Sequence, residues 1–142
     1  MNRIAPRLAA TAAAAVMLAA LFASPAHAQS KDQLKAEFAR TVYKNSTQVH
    51  NEQPQALLRA VVVLRVKLNE QNQWQAEVFR ENPDQPELTK AALDSVAALP
   101  APTGLSPKAM EKLHGEGVIE AWLFQTDGRF ALKSLAKPQR TA

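Results

Sequence analysis

The run Leu58-Arg59-Ala60-Val61-Val62-Val63-Leu64-Arg65-Val66-Lys67-Leu68 decides how this chain is read. Leu58, Ala60, Val62, Leu64, Val66 and Leu68 recur at every second position, and Arg59, Arg65, Lys67 and Asn69 fall between them. A period of two sends alternate side chains to opposite faces of an extended chain, so the run predicts a β-strand with one buried face. Val61 and Val63 interrupt the polar side, which predicts either a second covered face or a central place in a sheet. After the polar stretch Glu70 to Gln73, Trp74, Ala76 and Val78 alternate with Gln75 and Glu77. This second strand closes an antiparallel hairpin, with Trp74 and Phe79 on opposite faces.

Downstream, Asn82-Pro83-Asp84-Gln85-Pro86 ends the strand because proline donates nothing to a ladder, and Asp84, with Glu87 three residues on, predicts a helix start. Leu88, Ala92, Val96 and Leu99 form its apolar stripe, and Pro100 and Pro102 end it. Ser106 followed by Pro107 predicts a short helix that closes at Gly115, with Met110 and Leu113 on its inner face. Val118, Glu120, Trp122 and Phe124 alternate with Ile119, Ala121 and Leu123 in a further strand. Thr126-Asp127-Gly128-Arg129 is the strongest turn signal in the chain, and Phe130, Leu132 and Leu135 carry a fourth strand. Upstream, Ser30 and Gln33 have capping-box spacing ahead of Leu34, Phe38 and Val42, a stripe that could extend to Val49. The order helix, strand, strand, helix, short helix, strand, strand predicts an α+β fold: an antiparallel sheet of three to four strands with helices packed on one face.

At the N-terminus, Ala supplies 12 of the first 28 residues, Arg3 and Arg7 are the only charges, and Leu8 to Phe22 form an apolar run of 15. With Ala26-His27-Ala28 as a small-x-small site, residues 1–28 read as a cleaved secretory signal. At about 1.5 Å per residue the run falls short of a ~30 Å hydrocarbon core, which argues against a membrane anchor. The expected organisation is a signal at 1–28, one domain at 29–136 and a loose tail at 137–142. Without Arg3 and Arg7 the Lys and Arg fall from 17 to 15 against 13 Asp and Glu, a net charge of +2 instead of +4. The charges are interspersed, so no nucleic-acid partner is indicated. An exported chain without cysteine must hold together by core packing alone, and the bacterial periplasm is the expected compartment. A total of 142 residues predicts one soluble domain and excludes membrane barrels and multidomain enzymes.

The stretch from Gln55 to Pro102 resembles the C-terminal domain of TonB and, more distantly, of TolA. The alternating run Leu58 to Leu68, the turn before Trp74, the helix Leu88-Thr89-Lys90-Ala91-Ala92-Leu93 and Pro100-Ala101-Pro102 carry the resemblance. Val118 to Phe124 sits where that family has the strand after its second helix. The resemblance implies a free-standing relative of that terminal domain, a protein-binding module of envelope transport or energy transduction that captures a short extended segment of an envelope protein.

Catalysis needs convergent titratable groups, and few are present. His50 and His114, the two histidines after the signal, have no metal-pair spacing, and Cys, Gly-rich phosphate loops and Gly-x-Ser-x-Gly are absent. His114 beside Gly115 suits a helix C-terminal dipole, and His50 lies in a polar run that predicts a solvated ring. The expectation is therefore no enzyme, with no catalytic residues, cofactor, metal or small-molecule substrate. A binding module instead needs a sheet edge. The candidate peptide-binding edge is Glu120, Trp122 and Phe124, with Arg129 and Lys133 on the neighbouring strand; the competing reading places the two aromatics in the core. The alternative function is a structural or accessory subunit of an envelope complex with no transport role. Sequence leaves the oligomeric state open.

Overall fold

Leu34, Phe38 and Val42 repeat every four residues, and there the chain winds into helix α1, Lys31–Asn45, burying these three side chains and Ala39. The structure, a computed structural model, describes residues 31–141, so the expected signal at 1–28 and the Ser30 cap lie outside the described residues. At the end of α1, Asn45 Nδ2 donates to the Thr41 carbonyl at 2.8 Å, occupying an acceptor that a helix terminus leaves open. Val49 does not extend the helical stripe. It lies beyond α1 and forms a parallel bridge to Phe130.

The alternating run forms β1, Ala60–Leu68, and folds back through a tight turn into β2, Trp74–Arg80. Asn69 organises that turn, its Oδ1 accepting from the amides of Gln71 and Gln73, both at 2.9 Å. Asn72 supplies the positive φ of 60°, which its short polar side chain tolerates. Strand β3, Val118–Phe124, pairs with the other side of β1, and β4, Phe130–Leu132, pairs with β3. The sheet is antiparallel in the order β2-β1-β3-β4, so β1 is central, as Val61 and Val63 suggested. The fourth strand stops at Leu132, short of Leu135, because the amides of Leu135 and Ala136 turn back onto the Leu132 carbonyl at 3.0 and 2.8 Å.

Helix α2, Pro86–Ala97, begins one residue later than the Asp84 cap signal predicts. Pro86 takes the first turn and makes Gln85 the N-cap, while Asp84 sits in a turn, its amide donating to Asn82 Oδ1 at 3.0 Å. Gln85 makes no capping bond; its side chain reaches Arg59 instead, accepting from Nε at 2.7 Å and donating to the carbonyl at 3.0 Å. Helix α3, Pro107–His114, starts as expected, with Ser106 Oγ accepting from the Ala109 amide at 3.1 Å. Ala109 and Leu113 are its buried residues, and Met110 is half-buried.

The α+β class predicted from sequence is the class observed. One core lies between the three helices and the face of the sheet built from Ala60, Val62, Leu64, Val66 and Leu68 of β1 and Val118, Trp122 and Phe124 of β3. Gly117 lets β3 enter against β1: at its φ of 69° a Cβ would collide with the Val66 carbonyl oxygen. The segment expected as a loose tail is tied down, since Gln139 Nε2 donates to the carbonyls of Gln55 and Ala56, both at 2.7 Å, and the Arg140 amide donates to Pro54 O at 2.9 Å.

Candidate functional site

Sheet order decides which strand can accept another chain. Strand β3 lies between β1 and β4, so Glu120, Trp122 and Phe124 are on an interior strand and not on an edge. All three point into the core: Trp122 and Phe124 are fully buried, and Glu120 is 3% exposed. Trp122 Nε1 donates to Ser95 Oγ at 3.0 Å, and the Phe124 ring meets Phe130 edge-on at 5.7 Å. Arg129 holds Asp127 in the turn, Nε to Oδ2 at 2.8 Å, and Lys133 is exposed beyond β4. The Arg129 amide and guanidinium hold the Asp127 carboxyl below the usual range. The five residues therefore do not form one surface.

The sheet has two terminal strands with different surroundings. Alongside β4, the Phe130 amide donates to Gln48 O at 3.0 Å and the His50 amide donates to Phe130 O at 2.7 Å, so residues 48–50 close part of that edge. His50 is buried here rather than solvated. Alongside β2, no described strand pairs with the outward edge, and the backbone groups that point away from β1 are open to a partner. Val78 is 41% and Phe79 57% exposed on this strand. Phe79 is the extra residue of a β-bulge, because Leu64 faces Val78 while Val63 faces Arg80. Glu77 pairs with Arg65 across the strands at 3.4 Å.

Beside the start of β2 lies a groove of about 400 Å³, lined by the Leu34–Lys44 flank of α1, by Trp74 and by residues 100–105. Trp74 packs on Phe38 with ring centroids 5.2 Å apart, and its Nε1 is buried without a hydrogen-bond partner.

No known family, characterised protein or solved structure matches the chain. Its chemistry is read from its own side chains alone. Among the described residues no cluster of three or more His, Cys, Asp or Glu could hold a metal, and no helix is long and apolar enough to cross a membrane.

The one deeply buried acid is Glu120. Its Oε1 accepts from the Ala121 amide at 2.8 Å and the Ser134 amide at 3.4 Å, whereas Oε2 is buried without a partner. Burial pushes its carboxyl above the usual range, and the Ser134 hydroxyl, the two amides and the Lys35 charge pull part of the way back. Burial also raises the Tyr43 phenol, whose oxygen accepts from the Leu132 amide at 3.0 Å and which feels the Glu120 charge. His114, the last residue of α3, lies with Nε2 2.7 Å from Asn72 Oδ1 and links α3 to the hairpin turn.

Sequence reasoning missed β2 as the open edge because its signal was the same alternation that marks β1 and β3. The exposed pair Val78-Phe79 was visible, but only strand order gives it meaning.

Proposed function

We propose that this chain is a protein-binding module of the bacterial cell envelope, exported to the periplasm, that captures an extended segment of another protein by strand addition along β2. The observation that carries this reading is the unpaired outward edge of β2 with Val78 and Phe79 exposed on it. A segment added there gains backbone hydrogen bonds along the ladder and apolar contact at alternate positions. The bulge at Phe79 and the charges of Glu77, Arg80 and Glu81 discourage two copies from pairing edge to edge, while a segment of matched pattern is still accepted. The resemblance to the TonB and TolA terminal domains supports the same mode, since those domains bind extended segments of envelope proteins.

A second reading, an accessory subunit fixed in an envelope complex, is favoured by the outer face of the sheet. There Val61 is 38% exposed and Val63, Ile119, Ala121 and Leu123 are half-buried with no described helix over them.

Photo-crosslinking separates the two. A benzophenone residue in place of Val78 is expected to trap an envelope protein in living cells, and the same residue in place of Val61 is expected to trap none. The crosslinked segment, made as a synthetic peptide, should then lose binding when alternate amides are N-methylated. Crosslinks from position 61 alone, or equal binding of the methylated peptide, would overturn strand addition.

A further inference from the structure

The groove along α1 has three properties that the β2 edge does not explain. Its floor is the half-buried Trp74 ring, packed on the buried Phe38, with the half-buried Leu105 among the lining residues. Trp74 Nε1 is buried as a donor without an acceptor. Such a group is among the few that native structures leave unsatisfied.

The far wall is the connection from α2 to α3. Between Leu99, whose amide closes onto Val96, and Ser106, which caps α3, residues 100–105 make no hydrogen bond to any described residue. Pro100 and Pro102 limit the wall's backbone freedom, and the amides of Ala101, Thr103, Gly104 and Leu105 are left to pair with something else. Gly104 turns the wall at φ 74°, with nothing within 4 Å of where a Cβ would stand.

The near wall supplies charge. Arg40 and Lys44 stand one helical turn apart on α1, both exposed, and neither enters an ion pair with a described residue. Glu37 is the one acidic residue lining the groove, so the rim carries a cationic excess. The volume falls at the lower end of ligand clefts, roughly 300–1,000 Å³, which suits a few residues of chain rather than a folded surface.

We infer that this groove is a second peptide site, taking a short extended segment that carries an apolar side chain next to carboxylates. The apolar side chain lies on the half-buried Trp74 ring beside Leu105, and the carboxylates sit against Arg40 and Lys44. This goes beyond strand addition at β2 and stands whether or not that reading holds.

The test uses the protein as its cells process it, labelled with nitrogen-15 and titrated with acetyl-Asp-Phe-Asp-amide, acetyl-Lys-Phe-Lys-amide and dodecanoate. Trp74→Phe assigns one of the two indole signals, Trp122 giving the other. The acidic peptide is expected to shift the Trp74 indole and the amides of 101 and 103–105. It should bind about fivefold more tightly than the basic peptide, the scale of two exposed ion pairs. The double variant Arg40→Gln, Lys44→Gln, both on the surface, should keep the spectrum of the free protein and lose the preference. Equal binding of the two peptides, shifts confined to β2, or a response to dodecanoate with none to either peptide would each overturn the proposal.

Discussion

Replacing Glu120 by Gln probes a buried acid in the core. The side chain is 3% exposed, its Oε2 has no partner, and the amide variant has nearly the same shape. Burial raises the Glu120 carboxyl in the folded chain above its ordinary value of 4.5, so folding takes up a proton. The associated stability is fully present below pH 4.5 and is lost as pH rises through the folded value. An unsatisfied buried polar group costs about 1–3 kcal/mol, and ~1.5 kcal/mol is a fair value for one carboxylate oxygen. At ~2.1 cal/mol/K per residue, residues 31–141 unfold with about 0.23 kcal/mol/K, which converts ~1.5 kcal/mol to ~6 °C. Glu120→Gln is therefore expected to melt about 6 °C above the parent at pH 8 and to converge with it toward pH 4.5. Thermal unfolding followed by circular dichroism from pH 4.5 to 8 measures the difference, in which the other titrating groups cancel. A difference independent of pH, or a parent more stable than the variant at pH 8, would refute the reasoning.

Gly117→Ala and Gly104→Ala separate steric collision from backbone strain, since both glycines have positive φ but only Gly117 faces atoms, the Val66 carbonyl and Lys67 Cγ at 2.6 Å. Urea unfolding should show a loss of about 1 kcal/mol for Gly104→Ala and well above that, ~3 kcal/mol or more, for Gly117→Ala. Trp122→Phe removes the 3.0 Å bond to Ser95 Oγ and part of a fully buried ring, and should lower stability by about 2 kcal/mol in the same assay. Ser106→Ala removes the cap of α3 and should cost ~1 kcal/mol, with amide exchange quickening first at Ala109, whose N–H loses its acceptor.

The strands, their inward faces and the start of α3 were legible because they follow from local rules. Alternation from Leu58 to Leu68 names the buried face of β1 without reference to anything else, and Ser106-Pro107 caps and opens a helix by its own chemistry. Asp84 misled because two local rules competed: a capping carboxylate at 84 and a proline at 86 both mark helix starts, and the proline prevailed. His50 misled because its neighbours are polar while its burial depends on β4, eighty residues further along the chain.

What the sequence by itself determined is the α+β class, the periodicity of each element and the absence of any metal-pair or nucleophile motif, all properties of residues near one another in the chain. Strand order was decided only in the tertiary structure. β1, β2 and β3 alternate in sequence in the same way, so periodicity says which face is buried and is silent on which neighbour lies alongside. That order moved the open edge from β3 to β2, turned Glu120, Trp122 and Phe124 into core, and brought Trp74, α1 and residues 100–105 together around a groove. The physical reason is that side-chain direction is set within a strand, whereas edges and grooves are set by which distant segments close around it.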